Sequence, residues 1–168
     1  MGLFSFLKNA GSKIFNNAEK EAPKAETAEA TAEKLRQHKA MLLRSVVDSL
    51  GIEVKNLSID LQDATVFLSG EVQSQADKEK VILAVGNVNG VEAVNDDGFI
   101  VNEPAPVAEF YEVQKGDTLS KIAKSFYGDW RKYTDIFEAN KPMLKDPDLI
   151  YPGQNLRIPN PELYTKNQ

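Results

Sequence analysis

At 168 residues the chain holds one ordinary domain or two small ones, each with a modest core. Its composition, 42% hydrophobic and 27% charged, is that of a soluble globular protein, and a net charge of -5 leaves no basic surplus to displace phosphate counterions, which argues against a nucleic-acid partner. The absence of cysteine removes disulfides and thiol-ligated zinc or iron–sulfur centres.

The chain opens MGLFSFLKNAGSKIF, in which Lys8 and Asn9 interrupt the apolar residues that a secretory signal would need in one run. A cytoplasmic location is expected. Leu3, Phe4, Phe6 and Leu7 form a short amphipathic segment ending at Ala10-Gly11. With Lys8 and Lys13 it has the make-up to touch a lipid surface, but its shortness and the acidic chain argue against stable membrane insertion. No run approaches the ~18 apolar residues of a membrane span.

Residues 18–33 are rich in Ala, Glu, Thr and Lys, a composition that suggests a linker or frayed helix. From Ala32 to Leu50, the residues Leu35, Leu42, Leu43, Val46, Val47 and Leu50 recur at helical spacing, and Gly51 supplies a stop. The runs Val54–Leu61 and Thr65–Leu68, separated by Asp63-Ala64, read as a β-hairpin. Ser74, with Asp77 three places on, caps a second helix over about 74–86 that breaks at Gly86. A third strand is expected from Val91 to Val101, interrupted by the turn-prone Asn95-Asp96-Asp97-Gly98. That acidic run lacks the further ligands of a calcium loop, so a hairpin or bulge turn accounts for it better.

The order helix, strand, strand, helix, strand implies an antiparallel or mixed sheet with helices on one face. It also resembles a BON domain, through Val66-Phe67-Leu68-Ser69-Gly70, the helix opening near Ser74, and the glycine-broken stretch from Ala84 to Val91. Pro104 and Pro106 then mark a stiff linker. Beyond it, Phe110–Ala123 places a strand, a Gly-Asp turn and a helix capped by Asp117 or Thr118. Ile136–Asn140 ends another helix, and Ile150–Pro159 supplies a turn and closing strand. These words in this order closely resemble a LysM module. The expected architecture is α+β: an N-terminal amphipathic segment and linker (1–31), a BON-like αββαβ domain (32–102), a Pro-containing linker (103–109), a LysM-like βααβ module (110–159) and a tail (160–168).

Enzymatic chemistry finds little support. His38 is the only histidine and reads as a surface residue of the first helix, so the usual nucleophile–base pairs are unavailable, and no pair of carboxylates stands out. A cation held by the backbone is the more interesting possibility. The segment ending at Ala10-Gly11 and the helix ending at Val85-Gly86 both offer unpaired terminal carbonyls, although by themselves these are two ordinary C-caps. A large monovalent cation suits such neutral oxygens.

Taken whole, with its MGLFSFLKNAG start, single BON-like domain and IYPGQNLRIP ending, the chain resembles the family of bacterial cytoplasmic potassium-binding proteins that join these two modules. It departs from them in its longer Ala/Glu-rich stretch after Phe15 and in its tail after Pro159. The resemblance implies one potassium ion held by the main-chain carbonyls of Leu7, Ala10, Ser12, Gly86, Val88 and Val91. It further implies a monomer acting as a sensor or buffer, in which ion binding orders the N-terminal segment and the arrangement of the modules, with LysM open to a protein partner.

The rival expectation is a cell-envelope protein whose LysM module binds N-acetylglucosamine chains of peptidoglycan. Residues Gly116, Asp117, Thr118 and Leu119 and the stretch Ile150–Gly153 would then line the groove. Tyr127, Trp130, Tyr133 and Tyr151 are able to stack on sugars, but a module of this size is expected to spend such aromatics on its core.

Overall fold

The computed structural model describes residues 3–6, 15 and 28–160. Within them, the first strand is a surprise. Leu3–Ser5 forms β1, not the helix-like segment expected from its amphipathic composition. The reason is the period: Leu3 and Ser5 are exposed while Phe4 and Phe6 turn inward, the alternation of a strand laid on a sheet edge.

Helix α1 (Ala28–Asp48) starts earlier than its apolar stripe because the Ala/Glu-rich residues before it are themselves good helix formers. Leu43 and Val47 are buried on the stripe, with Leu42, Val46 and Leu50 packed beside them. Gly51, at φ 66°, takes the left-handed conformation that ends the helix. Strands β2 (Lys55–Gln62) and β3 (Thr65–Ser74) form the expected hairpin, with Asp63 at φ 53° in its turn. Ser74 caps α2 (Gln75–Gly86): its Oγ accepts from the Asp77 amide and donates to the Asp77 carboxylate. This helix carries the chain across to β4 (Ala93–Glu103), which therefore runs parallel to β3. The sheet order is β1-β4-β3-β2, with the other neighbours antiparallel.

Of the two forms expected for Asn95–Gly98, a hairpin or a bulge turn, the bulge is found, and it does not interrupt β4. Asn95 pairs with Phe67 and Gly98 with Ser69, so Leu68 alone faces Asp96 and Asp97 in a β-bulge. The bulge turns Asp96 inward, where Lys78 of α2 meets its carboxylate at 2.7 Å and also donates to the Phe99 carbonyl.

Strands β5 (Glu109–Glu112) and β6 (Asn155–Ile158) pair antiparallel around α3 (Leu119–Tyr127), a short 3-10 turn (Trp130–Lys132) and α4 (Tyr133–Ala139). Of the two cap candidates, Thr118 accepts from the Lys121 amide, while Asp117 fixes the preceding turn by accepting from the Tyr111 hydroxyl and the Gln114 amide. Donating its hydroxyl proton to the Asp117 carboxylate raises the Tyr111 pKa above the ordinary tyrosine value. Val113, Leu119, Ile122, Ala123, Ile136, Leu144, Leu156 and Ile158 form the core of this second unit. Tyr127 and Tyr133 pack against it as expected, whereas Trp130 and Tyr151 are exposed.

The two units share a polar and well-buried seam. Glu79 of α2 is 1% exposed and pairs with Arg157 of β6, itself 6% exposed. The other carboxylate oxygen accepts from the Ala108 amide at 2.9 Å and from Gln75 at 3.0 Å. Along the outer edge of β6, the Asn87 side chain both accepts from the Asn155 amide and donates to its carbonyl, each at 2.9 Å. Asn140 treats the Arg157 backbone the same way. Phe4 and Phe110 rings meet at 5.1 Å, and Met143 packs into both cores. No helix among the described residues is long and apolar enough to cross a membrane.

Removing one partner of a buried ion pair strands the other charge, at a cost of about 3–5 kcal/mol. Arg157→Ala and Glu79→Ala are each expected to lose stability on that order in equilibrium urea denaturation. The double replacement E79M/R157M is expected to recover most of the loss, since it leaves no buried charge behind.

Candidate cation-binding site

The stretch 86–91 is shaped by the way α2 ends. Asn87, the C-cap, donates its amide back to the Leu83 carbonyl at 2.9 Å, Val88 donates to Val85 at 3.2 Å, and Val91 donates to Val88 at 3.1 Å. The carbonyls of Gly86 and Val91 accept no hydrogen bond among the described residues, and Val88 keeps its second lone pair. Gly86 and Val88 lie at the negative end of the α2 dipole, a place that favours a cation without any carboxylate. Val88 and Val91 side chains are buried, which pins the backbone that carries these oxygens.

Two glycines let two rings lie flush on this stretch. A Cβ at Gly86 would stand 2.0 Å from Phe6 Cζ, and one at Gly90 would stand 3.1 Å from Phe15 Cδ2. Gly90 also sits at φ 98°, where a side chain is strained. Both rings are buried, and Lys39 Nζ lies 5.2 Å from the Phe15 centroid. Phe6 and Phe15 thus pack on the same turn. Phe6 is held further by its amide, which donates to the Glu92 carbonyl at 2.7 Å.

Of the six carbonyls that the resemblance implies, Gly86, Val88 and Val91 share one short turn, while Leu7, Ala10 and Ser12 lie outside the described residues. The chemistry present, neutral carbonyls at a helix C-terminus of which two accept no hydrogen bond among the described residues, fits a large weakly hydrated cation such as potassium. Among the described residues, no group of three or more His, Asp or Glu side chains converges to hold a metal. Sequence reasoning missed Phe6, Phe15 and Asn87. A signal for the first two existed in the pair Gly86 and Gly90, four residues apart, which leaves landing places for bulky groups beside an otherwise apolar helix end.

A four-stranded sheet carrying two helices, joined to a two-stranded, two-helix unit, defines a BON–LysM protein. Family models match accordingly: the BON domain over residues 34–103 and the LysM domain over 111–159. The chain is 42% identical to the potassium binding protein Kbp of Escherichia coli O6:H1 over 160 residues, covering 95% of this chain and 99% of the relative. It is 35% identical over 119 residues to an uncharacterized protein of Deinococcus radiodurans, covering 64% of this chain and 46% of that one. It is also 41% identical over 56 residues to the spore coat assembly protein ExsA of Bacillus cereus, covering 33% and 8%. The chain belongs to the family of the potassium binding protein Kbp.

The contact between Phe6 and Gly86 can be tested on its own. Gly86→Ala gains about 0.5–1 kcal/mol of helix propensity but drives a methyl into the ring, and overpacking costs about 1–3 kcal/mol. A net loss of stability is expected in thermal denaturation, and adding Phe6→Leu to the G86A background should return part of it.

Proposed function

We propose that the chain binds potassium through the main-chain carbonyls of Leu7, Ala10, Ser12, Gly86, Val88 and Val91, as a cytoplasmic sensor or buffer and not as an enzyme. One observation carries the reading: Phe6 and Phe15 both seat on the 86–91 turn, where the Gly86 and Val91 carbonyls accept no hydrogen bond among the described residues. The similarity to a relative named for potassium binding supports the choice of ion.

Selectivity follows from the ligand class. Neutral carbonyls replace the loosely held water of potassium at modest cost, whereas sodium holds its water more tightly and needs a smaller cage. Because the oxygens come from two stretches of chain, the ion favours the arrangement that brings them together. Asn87 lies between Gly86 and Val88 while its side chain grips β6. An ion that fixes these two carbonyls therefore also steadies the grip on the LysM domain, which is how ion binding would reach the arrangement of the modules. A protein partner of that domain would read the result, and a monomer suffices for this scheme.

The glycan-binding reading has less support. Asp117 and Thr118 are spent on a turn and a cap, Leu119 is buried in the core, and of the stretch Ile150–Gly153 it is the Tyr151 ring that offers a free aromatic surface.

Isothermal titration of the full chain is expected to show a saturable response to KCl and none to NaCl at matched ionic strength. The Asn155 amide, which donates to Asn87, is expected to exchange with solvent more slowly once potassium is added. Equal weak heats with both salts would remove the selective site. Potassium binding that leaves this amide unchanged would remove the coupling.

A further inference from the structure

A cleft of about 590 Å³ opens between the two domains, within the size range of small-molecule sites and at a domain boundary, where such sites concentrate. Its floor is aliphatic: Val46 and Leu50 come from α1, and Ala84 and Val88 from α2 and the turn after it. Pro142 and Met143 of the second domain close the opposite wall. The potassium reading uses the Val88 carbonyl and the Asn87 carboxamide at one side of this space and leaves its aliphatic surface unused.

The polar groups at its mouth are of one kind. Asn87 has both ends of its carboxamide committed, to Asn155 and Met143, and the Ser49 hydroxyl donates to the Val46 carbonyl at 2.6 Å. The Gln154 carbonyl oxygen already accepts from the Tyr151 amide. What is left unspent among the described lining residues is the Lys145 ammonium, the Gln154 amide N–H and the Tyr151 hydroxyl, all able to donate. No Asp or Glu stands among those lining residues, although the chain as a whole carries 25 acids against 20 Lys and Arg. In an acidic protein, a cleft with an aliphatic interior and a donor-rich, cationic mouth is complementary to a molecule built the opposite way.

We propose that this cleft between the BON and LysM domains binds a small amphipathic molecule, an apolar body with one anionic group, whose body lies on Val46, Leu50, Ala84, Val88 and Met143 and whose anion meets Lys145, Gln154 and Tyr151. A sugar fits less well, since the aliphatic floor offers no partners for its hydroxyls. Both domains supply walls, so the site exists only in the docked arrangement that Asn87 and the Glu79–Arg157 pair maintain.

The test uses the full chain at constant KCl, with anilinonaphthalene sulfonate as the anionic probe and N-phenylnaphthylamine as its neutral counterpart. Saturable fluorescence enhancement with one sulfonate bound per chain is expected, together with amide shifts in NMR spectra centred on Val46, Ala84, Val88 and Met143. Lys145→Glu reverses an exposed charge and is expected to weaken the sulfonate by roughly tenfold, leave the neutral probe unchanged, and be rescued by Lys145→Arg. Ser49→Trp, at an exposed position on the cleft mouth, is expected to weaken both probes. Absence of binding, equal affinity in the wild type and in both K145E and S49W, or shifts centred on the open sheet face around Leu3, Phe67 and Ile100 would each overturn the proposal.

Discussion

A two-stranded sheet has two edges, and β6 spends one of them on β5. Its other edge would present unpaired amides and carbonyls to whatever lies beside it, a cost that native structures avoid. Here two carboxamides stand in for a third strand: Asn140 completes the backbone of Arg157, and Asn87 completes that of Asn155. One of these comes from the LysM domain itself and the other from the end of a BON helix. Docking is thus written into the hydrogen-bond requirements of a single short strand, and the remainder of the seam is arranged around it.

Helix α2 is the element on which everything converges. Glu79 and the whole run from Val81 to Gly86 are buried, because the sheet and α1 cover one side, β6 approaches another, and Phe6 covers the last turn. A helix covered this extensively has few ways to move without breaking contacts, which holds the peptide units at its C-terminus in place. The buried Glu79–Arg157 pair is satisfied at both carboxylate oxygens, so it specifies one docking geometry instead of contributing a loose attraction. Any ion drawn to the Gly86 and Val88 carbonyls would act on the peptide units beside Asn87, with no long pathway to traverse.

The edge strand β1 and the bulge in β4 share a cause, because in each a local pattern was shaped by what lay next to it. Leu3–Phe6 has the composition of an amphipathic helix start, but the exposed edge of β4 was available, and pairing with it satisfied backbone groups that a short helix would leave open. Asn95–Gly98 has turn chemistry, yet the parallel register with β3 kept the strand going and absorbed the extra residue as a bulge, which turned Asp96 toward Lys78. Trp130 and Tyr151 stayed outside the LysM core because Tyr127, Tyr133, Phe126 and Phe137 already fill the places around it.

The sequence by itself determined both domain types and the cap at Ser74, and narrowed the next cap to Asp117 or Thr118, because each depends on residues within a few places of one another. It even held a hint of the seam, since Val81–Val85 is apolar on every face of its helix and so required a second cover. What covers it was decided only in three dimensions. Asn87 and Asn155, or Glu79 and Arg157, are far apart in the chain and of types common on any surface, and Phe6 meets Gly86 only because β1 chose the β4 edge. Contacts between distant residues leave no period and no spacing to read, so only the folded chain reveals which polar groups become partners and which aromatic ring finds the glycine made for it.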